Sequence, residues 1–365
     1  MTNWKFKIVG AMAVTGAVAF AGCKPSGGNT GTGGSGEAGK RLFISIGTAP
    51  VGGVFYTIGG ALSDVLNQGS GTNDWTVSAE STGGSMENIR MLASGDVQFA
   101  VCNSSISYFA VRGEEGWDKP YKVKTVMTLF PNVAMFVTKK GSGITKIADL
   151  KGKRVTVGPQ GAGFEYFIRP LLKAHGLTYN DFDPVYAGQQ TCVDYLGDGS
   201  VAAAFLGGGV PTASITSAAS TMDIFLVPFS EAETKKLIEE YVFFTPFTIP
   251  AKTYKGQDEA YAGMNVGSAH LVTYENVDEE LVYKVVKTIY DNREAVVEKH
   301  KAGKAINEKN VIRNTGTDFH PGAIRFYKEI GIWPGSKPAV AAAPKADAPE
   351  AKPADSKARP EAAKK

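Results

Sequence analysis

The chain has 365 residues, 43% apolar and 21% charged, which is enough material to bury the cores of two domains. Its formal net charge of +3 is small and evenly spread, so nucleic acid is excluded as an expected partner.

The first residues read as a targeting segment. Lys5 and Lys7 form a basic start, and Ile8 to Phe20 is an apolar run of roughly a dozen residues, too short to span a bilayer of ~30 Å as a helix. It ends in Phe20-Ala21-Gly22-Cys23. A signal peptide over 1–22 is therefore expected, followed over 23–40 by a tether rich in Gly, Ser and Thr that has no core-forming residues.

Leu42 to Ile46 reads as a buried strand that runs into Gly47-Thr48-Ala49-Pro50-Val51-Gly52-Gly53. Phe55, Ile58, Leu62 and Val65 then recur at helical spacing. The unit repeats: Trp75 to Glu80 alternates as a strand, Ser81-Thr82-Gly83-Gly84 breaks it, and Ser85 starts a helix carrying Met86, Ile89 and Leu92. A third copy follows, with strand Val97 to Val101, loop Cys102-Asn103-Ser104-Ser105, and a helix to Ala110. Each strand thus delivers a polar loop to a helix start, where free N–H groups and the positive dipole end favour an anion.

Lys124 to Leu129 and Asn132 to Thr138 are two further extended runs. The pattern restarts with strand Lys153 to Val157, loop Gly158 to Gly163, and a helix from Phe164 to Ala174. Val201 to Leu206 is a strand before Gly207-Gly208-Gly209, and Pro211 suits the first turn of the next helix. Met222 to Val227, a helix over Glu231 to Tyr241, and a long strand over Val266 to Thr273 come next. Asp278 caps an amphipathic helix extending to Val296, and Pro321 opens a last one. From 334 to 365 the chain is Ala, Pro, Lys and acidic residues, a composition that predicts a tail without a packed core.

Two similar α/β halves place the natural site in the crevice between them, at the carboxyl ends of strands. The expected class is α/β with two lobes joined by a hinge. Lobe 1 is expected over 41–138 and 268–333, and lobe 2 over 139–267. Cys102 and Cys192 fall in different lobes, so buried thiols are expected rather than a disulfide.

Several of these segments together resemble the TAXI-type receptors of TRAP transporters. They are Gly47-Thr48-Ala49 with Gly52-Gly53, Tyr56 and Gly59 to Leu62; Ser81 to Arg90; Ile249-Pro250-Ala251-Lys252-Thr253-Tyr254; and His320-Pro321-Gly322-Ala323-Ile324. The resemblance runs from about Leu42 to Trp333 and implies a type II periplasmic-binding-protein fold. It implies capture of a small organic anion, such as glutamate, 2-oxoglutarate or a related dicarboxylate, and delivery to an ion-coupled permease. The chain departs from the family at Asn132, where an acidic residue is common, at Gly161-Ala162-Gly163, where Ser-Gly-Thr is usual, and at Ala202-Ala203-Ala204, which lacks an Asp. The end of the targeting segment resembles a lipobox, which implies lipidation of Cys23 and an extracytoplasmic, membrane-anchored receptor; an ordinary secretion signal is the alternative.

The candidate ligand-binding residues are Thr48, Gly53, Tyr56, Ser81, Thr82, Gly84, Ser85, Asn103 and Ser104 in lobe 1, and Gly161, Ala162, Gly163 and Gly208 in lobe 2. Hydroxyls, amides and backbone N–H groups of this kind donate to carboxylates. Ser85 is alternatively an N-cap, and Tyr56 alternatively core. Tyr166 and Phe205 are further wall candidates. Arg90, Arg112 and Arg169 are the candidates for bidentate carboxylate recognition. The four histidines (175, 270, 300, 320) are scattered, and no nucleophile elbow, P-loop or metal spacing is present, so neither an enzyme, a cofactor nor a metal is expected. A monomer is expected. A receptor for an ABC importer, with a sulfonate or aromatic ligand, and a sensory or scaffold lipoprotein are the other readings.

Overall fold

The computed structural model describes residues 41–335 except Thr72. The expected signal peptide, tether and Cys23, and the tail from 336 onward, lie outside the described residues. Among the described residues no helix is long and apolar enough to cross a membrane.

The first lobe begins with β1 (Leu42–Gly47), α1 (Val54–Gln68), β2 (Trp75–Glu80), α2 (Ser85–Ser94), β3 (Phe99–Asn103), α3 (Ser104–Ala110) and β4 (Val123–Phe130). The chain then crosses to a second lobe made of β5 (Val133–Lys139), β6 (Arg154–Thr156), α4 (Glu165–Ala174), β7 (Asp183–Val185), α5 (Gln189–Asp198), β8 (Ala203–Gly208), α6 (Ala213–Thr221), β9 (Ile224–Leu226), α7 (Glu231–Glu240), β10 (Phe244–Ile249) and β11 (Tyr261–Val266). It returns through β12 (Ala269–Tyr274) and finishes with α8 (Glu279–Asp291), α9 (Arg293–Lys299), α10 (Glu308–Val311) and α11 (Pro321–Glu329).

The first sheet has the order β2-β1-β3-β12-β4, with β1 parallel to β2 and β3, and β12 antiparallel to β3 and β4. The second has the order β10-β11-β5-β8-β6-β7, and β9 also pairs with β5. This is the expected two-lobed α/β class, each lobe having its own mixed sheet. The alternation read from the sequence shows why β1 lies where it does. Ile44 and Ile46 turn into the core with Trp75 and Val77 of β2, and α1 covers them with Ile58, Leu62, Val65 and Leu66. Each such side chain contributes about 1.5–3 kcal/mol by leaving water.

Three boundaries differ from expectation. β5 belongs to the second sheet, so the first crossing falls at Pro131-Asn132 and not after Thr138. A run of buried apolar residues has no period that marks where one sheet ends. The expected strand over Val266 to Thr273 is two strands, broken at Gly267-Ser268, where the chain crosses back. The helix capped by Asp278, whose Oδ1 accepts from Leu281 N at 2.8 Å, ends at Asp291. Asn292 turns the chain there, its amide donating to Thr288 O at 2.8 Å, and α9 continues separately.

The two crossings lie side by side and are tied together. Asn132 N donates to Asn265 Oδ1 at 3.0 Å, Val266 N to Asn132 O at 2.9 Å, and Asn265 Nδ2 to Ser268 Oγ at 2.9 Å. Asn103 Nδ2 donates to Gly267 O at 2.9 Å, binding the crossing to the start of α3. Gly267 has φ of +116°, and a Cβ there would overlap Asn103 Oδ1, so only glycine fits. Beside this hinge an aromatic seam joins the lobes: Tyr108 meets Phe243 at 5.1 Å between ring centroids, and Phe109 meets Tyr166 at 5.8 Å. Cys102 and Cys192 are both free and buried, the former in β3 and the latter in α5.

Candidate ligand-binding cleft

A cavity of about 540 Å³ lies between the lobes. The starts of α1, α2, α5 and α6 meet at it, and their cap residues Gly53, Gly84, Gly188 and Thr212 all line it. In none of the four does a cap side chain accept from the first-turn N–H groups. The helix starting at Ser104 is the contrast: Asn103 Oδ1 accepts from Ser105 N at 2.9 Å. Glycine at three of the four caps removes the side-chain acceptor and leaves first-turn donors to whatever occupies the cavity.

The α6 start is held by Tyr254, from the Ile249-to-Tyr254 segment, whose Oη accepts from Thr212 N at 3.0 Å. Burial raises the Tyr254 pKa, so the phenol stays neutral. Gln189 ties the other side of lobe 2 together: its Nε2 donates to Gly207 O at 2.9 Å, and its Oε1 accepts from Gly207 N at 3.1 Å and Ser214 Oγ at 2.7 Å. One side chain thus fixes the end of β8 against the starts of α5 and α6.

Apolar surface makes up much of the remaining wall, with Phe55 and Ile106 from lobe 1 and Phe164 and Phe167 from lobe 2. Of the lining residues only His300 is ionisable. Its Nδ1 accepts from Ala302 N at 3.1 Å, and burial lowers its pKa, so it is neutral at pH 7. The lobes meet around the rim: a Cβ on Gly84 would lie 3.6 Å from Ala162 O, and one on Gly208 3.4 Å from Val54 Cγ1.

Of the candidates from the sequence, Gly53, Gly84, Ser85, Asn103, Ala162 and Gly208 line the cavity. Ser85 is not the cap of α2, because Gly84 takes that place, and its Oγ accepts from Asn103 N at 2.9 Å. Thr48 lies elsewhere: it is fully buried, and its hydroxyl donates to Glu80 O at 2.7 Å, closing the β1–β2 pair beneath α1. Tyr56 is turned off the wall because α1 begins at Val54, which puts Phe55 toward the cavity. Ser81 is exposed and donates to Ala49 O at 3.3 Å, while Thr82 Oγ1 accepts from Gly84 N at 3.2 Å. Ser81 thus ties its loop to the one after β1, and Thr82 bonds within its own loop. Ser104 is sealed at the start of α3, away from the wall.

Gly161 and Gly163 flank Ala162 in left-handed turns, and a Cβ on Gly163 would meet Met86 Cγ of the other lobe at 3.2 Å. Helix α4 begins only at Glu165, so these glycines do not form its first turn. Tyr166 belongs to the interlobe aromatic seam and Phe205 to the lobe 2 core. The three arginines are engaged outside the cavity, with Arg90 over Trp117, Arg112 over Tyr108 and Arg169 over Tyr179.

Gln189, Gln190, Thr191, Thr212 and Ser214 line the cavity without having been singled out in the sequence, as do Asn132, noted there only as a departure from the resembled family, and His300, noted only as one of four scattered histidines. The strand–loop–helix rule would have found Gly188 to Thr191, but β7 is three residues long and contains Pro184, so no strand announced the loop. His300 follows the end of α9 and carried no signal at all. His320 caps α11, its Nδ1 accepting from Gly322 N at 3.2 Å. Among the described residues no group of three or more His, Cys, Asp or Glu side chains is placed to hold a metal.

Two α/β lobes, a double crossing and a cavity lined from both sides define a two-lobed α/β fold with an interlobe cleft of the kind that takes small ligands. The chain belongs to the NMT1-like family, whose model matches residues 46–331. Among solved structures it is similar to the periplasmic aliphatic sulphonate binding protein SsuA of Escherichia coli, at 15% identity over 79% of this chain and 83% of that one, with a TM-score of 0.46. It is similar to PhnD1 of Prochlorococcus marinus in complex with methylphosphonate, at 10% identity over 76% and 94% of the two chains, TM-score 0.49. It is also similar to a putative L-cystine ABC transporter protein of Listeria monocytogenes, at 13% identity over 77% and 99%, TM-score 0.44.

Proposed function

We propose that the protein is an extracytoplasmic receptor that captures a small organic anion in the interlobe cleft and hands it to a membrane permease. The observation that carries this reading is the meeting of four helix starts without side-chain caps at one cavity. Each helix end favours a nearby anion by about 0.3–2 kcal/mol. Micromolar affinity takes about 8 kcal/mol, so the four ends acting together, with apolar contact to the phenylalanines, reach that range. No single arginine is needed, and none lines the cavity. The targeting segment and Cys23 support a lipid-anchored receptor outside the cytoplasm, working as a monomer.

The sequence segments shared with TAXI-type receptors support a TRAP-type, ion-coupled permease as the partner. An ABC importer is the second reading, favoured by the aromatic and aliphatic wall, which suits a sulfonate or aromatic acid better than a fully polar dicarboxylate. Thermal unfolding of residues 40–335 against dicarboxylates, monocarboxylates and sulfonates tests both. Ligand at a hundredfold over its dissociation constant adds about 2.7 kcal/mol to stability. A shift with dicarboxylates alone supports the TRAP reading, a shift with sulfonates or aromatic acids supports the ABC reading, and no shift with any anion rejects the receptor.

A further inference from the structure

Asn132 is a largely buried polar residue of the cavity wall whose side chain the fold leaves unused. It stands on the first crossing between the lobes, is 8% exposed, and lines the cavity. Its backbone is fully engaged, N–H to Asn265 Oδ1 and C=O from Val266 N. Its side-chain amide has no hydrogen-bond partner among the described residues. The amide is therefore open to the cavity and free to bond whatever occupies it.

The surroundings restrict what that ligand can be. No Asp or Glu lines the cavity, so a buried ammonium would find no counter-charge. Only neutral acceptors remain, and several already accept a bond within the protein. Gly207 O accepts from Gln189 Nε2, Gly209 O from Thr212 Oγ1, and Gly53 O from Thr57 Oγ1. The helix ends facing the cavity carry partial positive charge, which repels a cation as it attracts an anion.

We infer that the cleft selects organic anions that carry no ammonium group, and that the neutral amide of Asn132 sets this selectivity. This rests on the anion-receptor reading and narrows it: oxoacids are ligands, and the α-amino acids of the same skeleton are not. An oxoacid offers an acceptor oxygen to the Asn132 Nδ2–H₂, whereas an ammonium could bond the amide Oδ1 but would find no negative charge there to balance its own. Glutamate, expected from the sequence resemblance, is therefore on the excluded side, and 2-oxoglutarate on the accepted side.

The test is isothermal calorimetry at pH 7.5 on residues 40–335 with three matched pairs: 2-oxoglutarate and L-glutamate, 4-methyl-2-oxopentanoate and L-leucine, phenylpyruvate and L-phenylalanine. In any pair that binds, the oxoacid should bind at least ~30-fold more tightly. Asn132→Asp, which is isosteric and leaves the crossing's backbone bonds intact, should weaken the oxoacid and narrow the ratio by about tenfold or more. Asn132→Ala should weaken the oxoacid without helping the amino acid, which separates charge from shape. Equal or tighter binding of the amino acid overturns the selectivity while leaving the receptor in place. An unchanged ratio in Asn132→Asp removes Asn132 from the role. No binding by any of the six compounds overturns both the selectivity and the organic-anion reading beneath it.

Discussion

Replacing Gly267 by alanine tests whether the hinge is built as described. The residue has φ of +116°, a conformation that costs a residue with a Cβ about 1–3 kcal/mol. The added methyl would also overlap Asn103 Oδ1 and stand 2.9 Å from Ser105 N. Asn103 would have to swing away, releasing the bonds that its Oδ1 accepts from Ser105 N at 2.9 Å and Ser105 Oγ at 2.6 Å. Loss of that cap costs about 1 kcal/mol, and the buried N–H left behind about 1–3 more. The total is about 3–7 kcal/mol, a large part of the ~5–15 kcal/mol that holds a typical protein folded. At roughly 2 °C per kcal/mol for a body of this size, the unfolding midpoint should fall by roughly 6–14 °C.

Calorimetry of wild type, Gly267→Ala, Asn103→Ala and the double variant closes a cycle. If Asn103 carries the clash, Gly267→Ala should cost only the backbone part, about 1–3 kcal/mol, once Asn103 is already truncated. A drop of less than about 2 °C in Gly267→Ala, or full additivity in the double variant, would refute this account of the crossing.

Three further outcomes are expected. His270 is fully buried on β12 with Ser107 Oγ at 2.9 Å from its Nε2, and burial pushes its pKa down from 6.5 to about 3. The unfolded chain therefore binds the proton first, and stability is lost as pH falls below 6.5 and continues to fall toward 3, by about 2 kcal/mol between pH 7 and pH 5 from this residue alone. His270→Asn should flatten that slope in urea unfolding at the two pH values; an equal slope in the variant argues against the assignment. Gln189→Ala leaves Gly207 N and O without partners and should cost about 2–4 kcal/mol in the same assay, with a loss under 0.5 kcal/mol ruling out the clamp. Thr48→Val removes only the hydroxyl bond to Glu80 O, so it should lower stability by about 1–2 kcal/mol and leave the affinity for any cleft ligand unchanged. A large affinity loss without a stability loss would return Thr48 to the site.

Much of the architecture was legible in the order of residues because the signals involved are local. Ile44 and Ile46 alternate, Ile58, Leu62 and Val65 recur at helical spacing, and Asp278 and His320 cap the helices that follow them. The glycine-rich turns after β1, β2 and β8 do border the cavity, because a strand that feeds a helix in an α/β unit puts its loop at the same edge of the sheet each time.

What the order of residues did not decide was direction and distance. Thr48, Ser81 and Thr82 lie in those loops yet spend their hydroxyls on Glu80 O, Ala49 O and Gly84 N, the first two of which are brought within reach only by the pairing of β1 with β2. Pro131-Asn132 looks like the middle of an apolar run, and only pairing of β5 with β8 makes it the crossing that brings Asn132 into the cavity. His300 and Gln189, 111 positions apart (300 − 189), line one cavity from opposite lobes for the same reason. Periodicity and capping are properties of a few consecutive residues, so the sequence alone determined the repeated strand–loop–helix units and their class, though not β7, α5 or β10, which are too short or too weakly patterned. The cavity is a property of which elements pack together, and that was decided by the long-range burial of two sheets and their shared seam.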